Sequence, residues 1–234
     1  YSALEDSSRN DSWLPRTGDQ GVASLLQELR QREHTLRSDL SGDGGFELGF
    51  KTTALYYLPI YSKIPPVYDR NLNLVEPPND SSICFASDDE RLLSLALLAG
   101  ELAVLWWSST GDDFHITTST LSRFPINSSS IESSHDQLIL LAKELEEVAH
   151  RDDNLLFTPY AGRMTGSWDL RRVRPLTRRI DKLVLETLGL EEYLPAVLRS
   201  VARFEKSTGE RPGTERGLGW LEMRRAALIV DQAD

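Results

Sequence analysis

The chain has 234 residues, 40% hydrophobic and 26% charged, with a net charge of −10. Those values exclude collagen-like, low-complexity and wholly disordered chains, and the acidic balance argues against a protein that coats nucleic acid by charge alone. Cys84 is the only cysteine and the histidines, His34, His115, His135 and His150, are scattered, which excludes an intrachain disulfide and a cysteine-rich zinc site and suits a reducing cytoplasm.

Residues 1–20 are rich in Ser, Asp, Asn and Gly and predict a frayed or disordered start. No initiator methionine, signal peptide or transit segment precedes them, so the chain reads as a piece of a longer protein. Over residues 21–40, Val22, Leu25, Leu26 and Leu29 fall at helical spacing, and SGDGG at 41–45 ends the helix. FELGFKTTALYYLPIYSKIPPVYD predicts strands and loops broken by Gly49, Pro59, Pro65 and Pro66. ICFAS at 83–87 predicts a buried strand. Ser87 with the acids of SDDER then predicts a helix start, the helix running through LLSLALLAGELAVLWW. Its apolar core, Leu92 to Trp107, is interrupted by Gly100 and Glu101 and is shorter than the roughly 20 residues a membrane helix needs.

STGDDF at 109–114 predicts a turn, and HITTSTLSRFPI at 115–126 a short strand followed by a capped turn. SSSIESS at 128–134 reads as a linker. Leu138, Leu141, Leu145 and Val148 predict a helix over 136–150. Residues 155–170, with glycines at 162 and 166, read as irregular. Helices follow over 176–188 and 193–206, joined at Gly189, and a last one over 218–230. The order is α+β: a small mixed or antiparallel sheet with packed helices, then a helical C-terminal part. The boundaries are 1–20 for the frayed start, 21–126 for an α+β domain and 127–234 for a mainly helical region.

Catalytic patterns are missing. GDGGF at 42–46 follows a helix and precedes a strand, the reverse of a cofactor-cradling loop. Pro65-Pro66 and Pro77-Pro78 lack the acceptor and stacking aromatic of an amino-methyltransferase loop, and no nucleophile elbow, zinc-protease or phosphate-loop motif occurs. Asp112-Asp113 with His115, and Asp152-Asp153, read as solvated or capping acids. Catalytic residues and metal ligands are therefore expected to be none.

Charge is unevenly spread. Residues 1–50 carry a net −4, 51–160 a net −9 and 161–234 a net +3, and RRVRPLTRRIDK at 171–182 holds six basic residues and one acid. Arg171, Arg172, Arg174, Arg178 and Arg179 have two readings of equal weight: phosphate or guanine contacts, or a solvated face tied into helix salt bridges. Lys51-Thr52-Thr53 is a compact donor set that fits either phosphate binding or an ordinary strand edge. Tyr56 and Tyr57 would point to opposite faces of a strand, leaving Tyr57 as a contact residue. His115 reads as a base or phosphate donor, or as a turn residue beside Asp113. Trp106 and Trp107 read as core and packing residues.

The segment LLSLALLAGELAVLWWSSTGDDFHITTSTLSRFPI resembles part of large adenine-specific DNA methyltransferases, the type IIG restriction–modification enzymes and their phage-exclusion relatives. There a helix of the form "lallNSkLfyww" precedes "sDgfhlt…di…fP"; this chain has Ala99-Gly100 in place of the Asn-Ser. Upstream, YYLPIYSKIPPVYD is similar to the family's "yw…f…fPP" stretch and Ser81-Ser82 to its serine pair. Downstream, LTRRIDKLVLETLGLEEY resembles its "sk.iiDeiD.ll…yGl…E" helix, with Asp181 and Gly189 in place. The resemblance covers roughly residues 46–206. It implies the target-recognition region C-terminal to a catalytic domain, whose Pro-Pro motif and S-adenosylmethionine loop would lie upstream of Tyr1.

The resulting expectation is a DNA-binding fragment, not catalytic alone, with no cofactor of its own and S-adenosylmethionine in the parent. Its partners would be double-stranded DNA, the upstream catalytic domain and other defence-system subunits, in the cytoplasm and away from membranes. The alternative is a protein-interaction or scaffold module of the same kind of complex.

Overall fold

The computed structural model of the chain describes residues 18–42, 44–54, 58–111, 114–205 and 213–224. The expected frayed start lies outside these residues up to position 17. The fold is α+β, with helices packed on two small antiparallel sheets.

The first helix, α1 (Gln20–Arg30), begins where the Asp19 carboxylate accepts the Gly21 and Val22 N–H groups at 2.9 and 3.3 Å. Its buried stripe is Val22, Leu25, Leu26 and Leu29. The helix stops at Arg30, earlier than the apolar spacing suggests, and a short 3₁₀ turn covers Leu36–Asp39.

Strands β1 (Phe46–Lys51), β2 (Ile60–Tyr61), β3 (Val67–Tyr68), β4 (Leu74–Val75) and β5 (Asp80–Phe85) follow. The first sheet has the order β2-β1-β5, with Phe46 opposite Phe85 and Lys51 opposite Asp80. Leu48, Phe50, Ile83 and Phe85 are buried against the helices.

Helices α2 (Asp88–Ala99) and α3 (Glu101–Thr110) occupy the stretch expected to be one helix. Ser87 and Glu90 form a reciprocal capping box at the start of α2. At Gly100 the chain leaves helical geometry (φ −78°, ψ 167°) and turns by 67°. Among the described residues no single helix is long and apolar enough to cross a membrane. Trp107 is buried in the core and its Nε1–H donates to the His115 carbonyl at 3.0 Å, while Trp106 packs on the core's edge.

The expected strand after 114 is reduced to one bridge between His115 and Thr53, after which α4 (Thr118–Ser122) starts on the Thr117 cap. A kinked 3₁₀ segment, Ser128–Ser134, stands where a linker was expected and leads into α5 (His135–Ala149).

Residues 155–170 are not irregular. They form a hairpin, β6 (Leu155–Tyr160) and β7 (Arg163–Trp168), whose inward residues alternate as Leu155, Phe157, Met164 and Trp168. Gly166 sits where β7 meets the Pro65-Pro66 turn: a Cβ there would lie 2.4 Å from the Pro66 carbonyl oxygen.

Helix α6 (Arg174–Leu188) has Pro175 in its first turn and ends on Gly189 in the left-handed region (φ 69°). Helix α7 (Leu194–Glu205) packs on α3, and Ala196 meets α1 at Gly21. Strand β8 (Glu215–Arg216) completes the second sheet, of order β4-β3-β7-β6-β8. The expected last helix is present from 219 to 224, and its remainder lies outside the described residues.

One core joins α1 to α7: Leu25, Leu95 and Trp107 share it with Leu138, Leu145, Ile180, Val184 and Val197. A second, aromatic core backs the five-stranded sheet, where Trp220 meets Phe157 at 5.0 Å and Tyr68 at 6.1 Å between ring centroids. Residues 21–126 and 127–234 thus contribute to both cores.

Candidate nucleic-acid interface

A cleft of about 560 Å³ runs between the two sheets and the ends of α2, α3 and α5. Its apolar floor includes Leu95, Ala99, Val104, Leu145 and Ala149. Tyr61, Phe114, Tyr160 and Trp168 add aromatic wall; Lys51, Arg171 and Arg174 add positive charge, and Glu101, Glu146 and Asp169 negative charge.

Lys51 ends β1 and reaches across to the second sheet, where its Nζ donates to the Gly166 carbonyl at 3.3 Å. Burial lowers the Lys51 pKa, and the charge of Asp80, its register partner, works against that shift. Asp80 in turn accepts the Tyr61 hydroxyl at 2.5 Å.

On the opposite wall, Asp169 is buried and accepts Arg171 through Nε at 2.7 Å and a terminal nitrogen at 2.9 Å, and Arg216 at 3.3 Å. Burial alone would raise the Asp169 pKa; the hydrogen bonds and charge of Arg171, with the Arg216 bond, outweigh it and hold the carboxyl below the usual range. His150 stacks beside Trp168 at 5.1 Å, with Nε2 3.4 Å from the Ser62 hydroxyl. Burial lowers its pKa, helped by the charges of Lys63 and Arg91 and opposed by Glu146.

The structure divides the residues singled out from the sequence. Lys51, Thr53, Arg171 and Arg174 line the cleft. Thr52 does not: its hydroxyl donates to the Asn79 carbonyl at 3.1 Å, a strand-edge role. Thr52 and His115 border a separate, shallower depression with Ser81 and Thr117. The His115 ring meets Phe114 edge-on at 4.9 Å. Tyr57 lies outside the described residues.

Three arginines of the basic run sit against acids from elsewhere in the chain: Arg172 on Asp153, Arg178 on Glu101 at 3.3 Å and Arg179 on Glu144 at 3.3 Å. Glu101 is buried, whereas the Arg172 and Arg179 pairs are exposed on both sides and add little stability. The sequence reading did not single out Asp169, His150 or Tyr160 as site residues. The adjacency of Asp169 to Arg171 was the one local signal for the first.

The cleft offers cations, acids, hydroxyls and aromatic faces together, a set that can hydrogen-bond and stack on a polar, partly aromatic ligand. No family model, no curated protein and no solved structure matches the chain.

Proposed function

We propose that the chain is a target-recognition, DNA-binding fragment of an adenine-specific DNA methyltransferase of a restriction–modification or phage-defence system, acting in the cytoplasm and not catalytic alone. Double-stranded DNA and the parent's upstream catalytic domain are its partners, with other defence-system subunits beyond them. S-adenosylmethionine belongs to the parent. One observation carries the DNA-binding part: Lys51, more than a hundred residues from Arg171 and Arg174 in sequence, joins them in lining a single cleft on a chain of net charge −10. Set among Glu101, Glu146 and Asp169, these cations can take an anion in exchange for their acid partners.

The test is duplex binding by wild type and by the triple variant Arg171→Ala, Arg172→Ala, Arg174→Ala at about 50 and 200 mM salt, where each phosphate contact contributes about 0.9 to the log–log slope. Binding that weakens with salt and is lost in the variant supports the reading. Absence of binding at both salts overturns it for this chain.

A second reading, a protein-interaction module, is favoured by the acid partners of Arg172, Arg178 and Arg179. It predicts no duplex binding and capture of the parent or its neighbouring subunits by the isolated chain.

A further inference from the structure

Much of the arginine run is engaged by acids. A second group of cations stands outside that run, at the corner of the five-stranded sheet formed by the β6–β7 turn. Tyr160 and Arg163 face each other across the last register pair of the hairpin. Ala161 and Gly162 between them both have positive φ, 49° and 75°. Two such residues make the tight turn whose twist continues that of the strands.

The loop between β3 and β4 backs this turn. Asp69 accepts the backbone N–H groups of Asn71 and Asn73 at 2.8 and 2.9 Å, and the Asn73 side chain at 3.3 Å. Leu72 takes a left-handed φ of 61° and buries its side chain in the aromatic core. The Arg70 guanidinium lies directly over Gly162, where a Cβ would be 2.3 Å from Nε. Two interlocked turns, anchored by buried Leu72, Phe157 and Met164, therefore hold the corner rigid.

Outward, the corner shows Tyr160, 70% exposed, beside exposed Arg70, Asn71 and Arg163. Among the described residues no salt bridge engages Arg70 or Arg163, and Asp69, which feels the charge of Arg163, has both oxygens committed to its own turn. Tyr160 also lines the cleft, so this corner continues the surface that carries Lys51, Arg171 and Arg174.

We infer that this corner is the base-contacting edge of the duplex-DNA surface, with Tyr160 and Asn71 against base edges and Arg70 and Arg163 on flanking phosphates. The inference rests on the DNA-binding reading above. Its chemistry is that of groove recognition: a carboxamide pairs with an adenine edge, guanidinium groups neutralise phosphates, and a rigid aromatic supplies apolar contact.

The experiment uses the whole chain and labelled duplexes enriched by the wild type from a random-sequence pool, with scrambled duplexes and the matching single strand as controls. Arg70→Ala and Arg163→Ala should each weaken binding to selected and scrambled duplexes alike and lower the salt slope by about one. The pair Tyr160→Ala, Asn71→Ala should lower the selected-to-scrambled ratio by about tenfold, the range of one good base contact. All four side chains are exposed, and an unchanged melting temperature checks that the variants fold.

If wild type binds no duplex, the DNA reading falls and the corner with it. If binding is lost in the Arg171, Arg172, Arg174 variant but untouched by the corner variants, this inference alone is overturned. It is likewise overturned if the pool yields no preferred sequence or the single strand binds more tightly than the duplex.

Discussion

The carboxylate of Asp181 occupies the space that a side chain on Gly100 would fill: a Cβ on Gly100 would lie 2.2 Å from the Asp181 Oδ1. From there Asp181 accepts the Glu101 N–H at 2.7 Å and, more weakly, that of Leu102 at 3.4 Å. A residue of α6 thus caps α3, and the missing side chain at Gly100 makes room for it. Asp181→Ala leaves these donors buried and unpaired, at a cost of about 2–3 kcal/mol. Asp181→Asn keeps an acceptor oxygen and costs less. Urea unfolding of both variants measures the difference.

Gly100→Ala collides with the same carboxylate and should destabilise by about 2 kcal/mol, the usual scale of overpacking. Combining it with Asp181→Ala removes the collision. The double variant should therefore be more stable than the two single losses predict, by a coupling of about 1 kcal/mol or more. Simple additivity in the cycle would show that the two residues do not share this space.

Burial, reinforced by the charge of neighbouring Glu101, pushes the Asp181 pKa up to about 7, against its backbone hydrogen bonds and Arg178. In the unfolded chain the group titrates near 3.8. Between those values the folded state holds a proton that the unfolded state has released. Stability from this group is therefore greatest at and below pH 4, declines as pH rises to about 7, and is level beyond, a change on the order of a few kcal/mol. Asp169, held below its usual range, acts with the opposite sign: its contribution is present above pH 4 and fades as pH falls further. The unfolding free energy of wild type minus that of Asp181→Asn, in which the opposing contribution of buried His150 cancels, should fall along the series pH 5, 6 and 8.

Asp169→Asn removes the charge that holds Arg171 and Arg216. The loss should cost about 2 kcal/mol of stability, since hydrogen bonds to charged groups are among the stronger ones. Under the proposed function it should also tighten duplex binding at low salt and steepen the salt dependence, because the cleft then carries one negative charge fewer. Unchanged or weaker binding in a folded variant would count against the cleft as the contact surface.

Local features of the fold were legible in the sequence. The Val22-Leu25-Leu26-Leu29 stripe, the Ser87 cap and the Gly189 terminus each depend on neighbours within a few residues. The break at Gly100 was not, because the carboxylate that fills its side-chain space, that of Asp181, lies 81 residues away. The β6–β7 hairpin was hidden by Pro159, Gly162 and Gly166, although Leu155, Phe157, Met164 and Trp168 alternate correctly for two strands. Strands of two residues such as β3 and β4 exist only through their partners and leave no periodicity to read. The basic run at 171–182 was plain in the composition. Its acids were not, since Asp153, Glu144 and Glu101 reach it from 19, 35 and 77 residues away.

The turn at Gly100 also sets a length. Residues 88–110 drawn out as one straight helix would reach about 34 Å at 1.5 Å per residue, comparable with the roughly 30 Å hydrocarbon layer of a bilayer. Turned by 67°, the same residues become two legs of about 18 and 15 Å, each only half that thickness. The missing side chain at Gly100 thus lets one apolar stretch supply two short legs that run in different directions, where a straight helix would have continued in one.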